Sequence, residues 1–311
     1  LPWSTATISG FVVDPDRKKM SKSKGNVVVP TAILEKYGSD AVRWRAAMAR
    51  PGTDSPFDET QMKVGRRLAM KILNASKLIL NLPDNNPAHW QIESVTEPVD
   101  LSMLTSLHGV IGLATQALDE YEYTDALQAA ERFFWTFCDD YIELVKERAY
   151  GSAVLTASEA AVENISTPEL DQAISPATQS ARSALGIALS VLLRLFAPFC
   201  PFVTEEVWRW WHVDSIHRTA WPVPEPGLPE ADESIMEAVT WALTAIRGAK
   251  SSVKASMKAP VESLVVTGSE QLLTQLRAAE SDLRAVGHVA GAIVWAQSDD
   301  EPTIEVKLLQ D

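Results

Sequence analysis

The chain contains few of the residues that build metal or disulfide centres. Among its 311 residues there are two cysteines and five histidines, and the two cysteines do not have Cys-x-x-Cys spacing. This excludes a zinc ribbon, and no metal site is expected in the protein itself. Because Cys138 and Cys200 lie in apolar helical patterns, we interpret both as buried, reduced thiols of a cytoplasmic protein. The absence of a Gly-x-x-x-x-Gly-Lys-[Ser/Thr] motif excludes a Walker-type phosphate loop.

Positive charge is scarce as well, and it is unevenly distributed. The chain holds 28 Lys and Arg residues against 41 Asp and Glu residues. Residues 1–80 nevertheless hold 14 basic and 7 acidic residues, whereas residues 81–311 hold 14 basic and 34 acidic residues. The basic first quarter can therefore meet phosphate groups, while the remainder can contact RNA only through local basic spots, stacking and shape. We also find no obvious apolar run of about eighteen residues, and so expect no membrane partner.

The most informative segment is Arg17-Lys-Lys-Met-Ser-Lys-Ser-Lys-Gly-Asn26, in which five of ten residues are cationic. Serine and glycine let the backbone approach a ligand closely, and lysines supply mobile charges on long stems. This composition suits a loop that grips a polyphosphate. On charge alone, a solvated basic loop or a nuclear-targeting patch is an equal alternative.

The order of these residues resembles the Lys-Met-Ser-Lys-Ser signature loop of the class I aminoacyl-tRNA synthetases. Ser9–Lys18 and Gly25–Pro30 resemble the approach to that loop and its exit. Tyr37–Arg43 resembles the helical segment that follows in the valine, isoleucine and leucine branches. Ala49–Asp58 is most similar to valyl-tRNA synthetases, and Phe196–Trp208 resembles part of the family's anticodon-binding bundle. The resemblance runs from about residue 8 to about residue 260.

The resemblance implies a role for each residue of the loop. Enzymes of this family join the carboxylate of an amino acid to the α-phosphate of ATP, which brings Mg²⁺ with it, and release pyrophosphate. They then transfer the acyl group to tRNA. Lys22 is expected to be the main catalytic, phosphate-binding lysine, with Lys19 as its helper. Ser21 and Ser23 are expected to shape the ATP-binding loop or to donate hydrogen bonds, and Met20 to anchor it on apolar surface.

One expected family feature is missing from the chain. No two histidines have the spacing of the family's other signature, His-Ile-Gly-His, and the chain begins at Leu1 without an initiator methionine or a signal peptide. We therefore expect the C-terminal part of a longer ligase, with the His-Ile-Gly-His half and an editing domain as its partners in the same chain. We expect the present chain alone to have no ligase activity.

The apolar patterns predict a mainly α fold in three parts. Residues 1–80 are expected to form the end of the catalytic domain, with the signature loop, a short β/α stem-contact segment and connecting helices. Residues 81–98, which are rich in proline and asparagine, are interpreted as a linker. Residues 99–231 are expected to form an anticodon-binding helix bundle, and residues 232–311 a small α+β cap.

Four predictions of individual elements are specific enough to compare with a structure. They are a strand over Ile8–Val13, one helix over about 124–149, a loop over Gly151–Ser175 and one helix over about Gln271–Ala285.

The expected tRNA contacts are less specific than the loop. Trp210, Trp211 and Arg218 lie near a predicted helix end, and exposed aromatic rings can stack on unpaired bases. Arg66 and Arg67 are candidates for phosphate contacts on the long helix before residue 80. Three interpretations stay open: a ligase that charges valine tRNA, a sister ligase for isoleucine or leucine, and a stand-alone tRNA-binding module without catalysis.

Overall fold

The computed structural model describes residues 2–151 and 174–309. These residues form two compact units. Within the described residues, the first draws on 2–80, 108–134 and 188–224, and the second on 81–107, 135–151, 174–187 and 225–309. The predicted loop over Gly151–Ser175 lies almost wholly outside the described residues. The division into three parts made from the sequence stays a prediction.

The first eighty residues contain three helices, α1 (Pro30–Tyr37), α2 (Ser39–Ala47) and α3 (Glu59–Leu80). Proline is well placed at the first position of α1, because its missing N–H group would have no partner in the first turn of a helix. The three helices share a small apolar core. Its members are Tyr37, Ala41 and Met62, with Ile33, Val42 and Phe57 packed against them.

The long amphipathic patterns after residue 98 form helices, which confirms the predicted mainly α fold class. One detail was wrong, since the helix predicted over 124–149 is interrupted by a π-helical turn at Phe137–Tyr141. The wider turn brings the Tyr141 hydroxyl to Asp100, to which it donates a hydrogen bond of 2.7 Å. The helices are α4 (Pro98–Asp119), α5 (Tyr123–Thr136), α6 (Ile142–Tyr150), α7 (Pro176–Phe196), α8 (Pro201–Trp208) and α9 (Ser234–Ser252).

A buried ionic network organises the second unit. The Arg148 guanidinium donates to both carboxylate oxygens of Asp100 at 2.8 Å and to Asp282 Oδ2 at 2.9 Å. Asp100 also accepts hydrogen bonds from Tyr141 and from the Ser180 hydroxyl, the latter at 2.6 Å. Burial lowers the pKa of Arg148, but the two carboxylates outweigh burial and raise it. Every charge in this network is therefore paired and hydrogen-bonded, as buried charges require.

The C-terminal residues form the predicted α+β cap. Strands β3 (Val261–Gly268), β4 (Ile293–Gln297) and β5 (Thr303–Leu308) make a sheet of order β4-β3-β5, in which β3 is parallel to β4 and antiparallel to β5. Two helices, α10 (Glu270–Arg277) and α11 (Glu280–Gly287), connect β3 to β4. The single helix predicted here was wrong. The break lets Leu273 and Leu276 of α10 and Leu283 of α11 all become buried.

Two further sequence predictions need correction. The strand predicted over Ile8–Val13 is only β1 (Val12–Val13), which pairs in parallel with β2 (Ser55–Pro56). Helix α4 is long and apolar enough to pass a length-and-composition test for a membrane span, so the sequence survey was wrong to find no such run. A helix packed in a protein core passes the same test, and Met103, Leu104 and Leu107 of α4 are buried among protein atoms.

Candidate functional site

The approach to the signature loop is held by the segment that follows α2. The Ile8 carbonyl accepts a hydrogen bond of 2.7 Å from the Gly52 N–H, and the Phe11 N–H donates to Asp54 Oδ1 at 2.8 Å. Between these bonds the two backbones touch, because a Cβ atom on Gly10 would lie 2.0 Å from the Thr53 carbonyl oxygen. Only glycine fits at such a contact. The structure thus brings together two segments that the sequence linked to the same family.

A side-chain clasp closes the loop at its base. The Asn26 amide donates to Asp14 Oδ2 at 2.8 Å and to the Lys19 carbonyl at 3.3 Å, while its oxygen accepts from the Ser21 N–H at 2.9 Å. Asp14 also accepts the Lys18 N–H at 2.7 Å. The Lys18 N–H and then the Asn26 amide lower the pKa of Asp14. Asn26 and Asp14 therefore fix both ends of the cationic segment.

Inside the clasp the backbone makes two left-handed turns. Arg17 has a φ of 61°, and Gly25 has a φ of 66° where a short 3₁₀ turn over Lys22–Lys24 ends. The Gly25 N–H donates back to the Lys22 carbonyl at 3.2 Å. Gly25 thus takes a backbone conformation that residues with a side chain rarely adopt.

The five cations of the loop are all exposed. Lys18 makes a loose ion pair with Asp16 at 3.7 Å. The ammonium groups of Lys19, Lys22 and Lys24 have no ion-pair or hydrogen-bond partner within residues 2–151 and 174–309. Met20 is half-buried, as expected for an anchor, and the Ser21 and Ser23 hydroxyls lie 3.2 Å apart. A fixed backbone thus presents three uncompensated positive charges, which suits a polyphosphate.

Helix α8, part of the segment that resembles the anticodon-binding bundle, is capped by a residue of α2. The Asp40 carboxylate accepts the backbone N–H groups of Phe202 at 3.0 Å and Val203 at 2.8 Å. A carboxylate at this place satisfies donors that a helix leaves unpaired in its first turn. Burial raises the pKa of Asp40, although both N–H groups act to lower it.

The predicted aromatic candidates lie at the other end of α8. Trp210 is 39% exposed, whereas Trp211 is half-buried against the rings of Trp208 and His212. Arg218 is exposed on a short 3₁₀ turn, Ile216–Arg218, that packs against α8. Trp210 and Arg218 are therefore available to a ligand, and Trp211 offers only part of its ring.

The basic candidates of α3 lie on its exposed side. Arg66 donates to the Lys36 carbonyl at 2.6 Å and still presents much of its guanidinium to solvent. Arg67 is exposed beside it, and Lys63 and Lys77 continue the cationic side of the helix one turn before and three turns after.

Sequence inspection missed the role of two residues of this site. Asn26 and Asp14 carry no functional signal by type alone, and only the clasp shows their role.

Comparison with known proteins identifies the family. The tRNA synthetase class I family (I, L, M and V) matches residues 1–58, and the anticodon-binding domain of tRNA ligase matches residues 100–266. A valine–tRNA ligase of Cutibacterium acnes is 50% identical over 308 residues, which cover 99% of this chain and 33% of that protein. One from Thermobifida fusca is 49% identical over 99% of this chain and 33% of its own length. The chain spans about a third of the length of the curated relatives it matches.

A solved structure shows the same fold. It is the ternary complex of Agrobacterium radiobacter K84 agnB2 LeuRS with tRNA and LeuAMS, which has a TM-score of 0.50 and 20% identity. The match covers 72% of this chain and 25% of that one. With the two family matches, it follows that this chain belongs to the class I tRNA ligases and carries their anticodon-binding domain.

Proposed function

We propose that this chain is the C-terminal part of a cytoplasmic valine–tRNA ligase. The observation that carries the proposal is the near-full-length similarity to valine–tRNA ligases at about half identity. Those relatives are three times as long, so the remaining catalytic half, with its His-Ile-Gly-His signature, and the editing domain are expected in the same polypeptide. On that proposal, the chain alone forms no adenylate.

The signature loop is proposed to act on the phosphates of ATP. In adenylate formation the amino acid carboxylate attacks the α-phosphate and pyrophosphate leaves, so charge develops on phosphate oxygens. Lys22 and Lys19 would stabilise that charge, because their ammonium groups are exposed and uncompensated. A fixed clasp supports this role, since preorganised charges need little rearrangement in the transition state.

Mg²⁺ is proposed to enter with ATP. Within the described residues, no group of three or more His, Cys, Asp and Glu side chains is placed to hold a metal ion. We propose that the loop offers its lysines and hydroxyls to the phosphates and that the nucleotide holds the metal ion.

The helical residues are proposed to bind valine tRNA through its anticodon arm. Trp210 and Trp211 would stack on unpaired bases, and Arg218 would contact a phosphate. Arg66 and Arg67 would contact phosphates of the tRNA body from α3. The acidic composition after residue 80 supports few phosphate contacts there and thus a shallow salt dependence for that part of the interface.

Aminoacylation tests the proposal directly. The full polypeptide that contains this chain should charge valine tRNA with valine and not with isoleucine or leucine, and the chain alone should show no valine-dependent ATP–pyrophosphate exchange. Preference for isoleucine or leucine would assign a sister ligase. Binding of tRNA without any charging by the full polypeptide would assign a stand-alone module.

A truncation tests the anticodon role separately. The full polypeptide and a version ending after Leu80 are compared for binding of valine tRNA over a salt series. Unchanged affinity and tRNA preference would exclude the anticodon role. Loss of most of the salt slope would show a charge-based contact that the composition argues against.

A further inference from the structure

The end of α9 and the loop after it carry only basic charges, although the second unit is acidic. Residues 238–261 contain Arg247, Lys250, Lys254 and Lys258 but no carboxylate, whereas residues 81–311 as a whole hold 34 acidic residues against 14 basic ones. Two of the four cations are already engaged. Arg247 pairs with Asp140 at 2.8 Å, and the Lys250 ammonium is buried.

The buried lysine holds the following loop in place. Lys250 is 1% exposed, and its ammonium donates to the Met257 carbonyl at 2.8 Å and to the Gly287 carbonyl at 2.9 Å. The Ala255 N–H donates back to the Lys250 carbonyl at 2.9 Å. Hydrogen bonds of Lys250 therefore hold the loop over residues 253–258 at Ala255 and at Met257.

Those exposed side chains form a small mixed surface. Val253 is 63% exposed and Met257 is 47% exposed, and Lys254 and Lys258 stand beside them in solvent. Within the part of the chain that the structure describes, neither lysine has an ion-pair or hydrogen-bond partner for its ammonium group. Apolar and cationic groups therefore alternate along six residues, with no carboxylate to neutralise them.

One of these lysines is held in a strained conformation. Lys254 has a φ of 56° at the position just after the helix, where glycine is the usual residue. A lysine at this place therefore has a backbone cost that glycine would avoid.

We propose that the loop over residues 253–258 is an RNA-contacting element for the bound tRNA. Lys254 and Lys258 contact phosphates, and Met257 packs on a base or ribose. The proposal rests on the proposed function, because the tRNA is the polyanion that the family's ligases bind. Charge complementarity supports a polyanionic partner for this basic element, and the proposed function supplies tRNA as that polyanion.

The test measures tRNA affinity in the full polypeptide from about 50 to about 300 mM KCl. Lys254→Gly and Lys258→Ala should each weaken binding about 3- to 10-fold at the lowest salt and make the salt slope shallower by about one. Met257→Ala should weaken binding by a similar factor without changing the slope. The matched control is Lys307→Ala, which removes one charge from the same unit but from a lysine already paired with Glu262 at 2.9 Å.

Lys254→Gly also separates an RNA role from a structural one. Because glycine relieves the strain, this variant should keep or raise the melting temperature while losing RNA affinity. If the lysines only offset the partial negative charge at the C-terminal end of α9, their removal lowers the melting temperature and leaves tRNA binding normal. That result overturns the proposal. If the lysine variants lose binding to poly-glutamate but still bind tRNA, the loop contacts an acidic protein partner. That result also overturns the proposal.

A failure of the proposed function would give a different experimental result. If the unmodified polypeptide does not charge tRNA with valine, the ligase assignment fails whatever the variants do. If it charges tRNA normally and both lysine variants bind tRNA as the unmodified protein does, the loop proposal alone is wrong.

Discussion

Asp40 and Val203 lie 163 positions apart in the chain, and the carboxylate of the first accepts the backbone N–H of the second at 2.8 Å. A residue of α2 thus supplies the N-terminal cap of a helix in the segment that resembles the anticodon-binding bundle. The cap is formed by tertiary structure, because the side chain of the residue just before the helix, Cys200, accepts no hydrogen bond from the first turn.

Removing this cap should destabilise the first unit. Asp40→Ala is expected to lower the free energy of unfolding by about 1–2 kcal/mol, and Asp40→Asn by less, since an amide oxygen can still accept one N–H. The measurement is urea denaturation of the chain. Glu35→Ala, which removes an exposed carboxylate from α1, is the control and should change stability by less than about 0.5 kcal/mol. Equal effects of Asp40→Ala and Glu35→Ala would show that the cap contributes nothing.

The loop lysines should differ in their effect on catalysis. In the full polypeptide, Lys22→Ala is expected to slow adenylation by an amount equivalent to about 2–4 kcal/mol with little change in valine affinity, because a group that acts on the transition-state phosphate affects turnover. Lys24→Ala removes the same charge two positions away and should cost much less. Single-turnover ATP–pyrophosphate kinetics measure both. Small and equal effects would contradict the assigned roles within the loop.

The buried guanidinium of α6 should matter far more than a surface cation on the same helix. Arg148→Met leaves two buried carboxylates without their partner and is expected to cost about 3–5 kcal/mol. Lys146→Met removes only an exposed pair with Glu143 at 3.7 Å and should cost less than about 1 kcal/mol. Denaturation midpoints of the two variants give the comparison. A tolerated Arg148→Met would mean that the carboxylates find other partners or take up protons at little cost.

Acid should weaken the aromatic cluster at the end of α8. The His212 ring stacks on Trp208 with 3.9 Å between centroids, and partial burial, followed by the charge of Arg194, lowers the His212 pKa below its ordinary value of about 6.5. A base with a lowered pKa binds its proton more readily in the unfolded chain. The neutral ring therefore contributes its full stability above about pH 6.5, and that contribution is lost as the pH falls through 6.5 towards the folded-state pKa.

Nuclear magnetic resonance and denaturation together check this window. The imidazole signal that disappears in His212→Gln should titrate below pH 6.5 in the folded chain. The same variant should show a weaker loss of stability between about pH 7 and about pH 5 than the unmodified protein does. A His212 titration at or above pH 6.5 would contradict the burial argument.

The sequence by itself determined the family, the mainly α class and the cationic loop. Arg17–Asn26 resembles the family's signature loop through the order of its residues, so this resemblance can be seen without any neighbouring segment. The long helices follow from apolar periodicity, which burial of one helical side requires. For the same reason, the pattern from 124 to 149 predicted the right segment but could not show the π-helical turn at Phe137–Tyr141.

Only the tertiary structure decided which residues support other segments by hydrogen bonds from their side chains. The contacts of Asn26 with Asp14, of Asp40 with α8 and of Lys250 with the loop after α9 join residues that local sequence does not pair. An asparagine, an aspartate and a lysine are ordinary surface residues by type. Their roles arise because folding brings unpaired backbone donors and acceptors within hydrogen-bonding distance of their side chains, and a buried polar group must be satisfied.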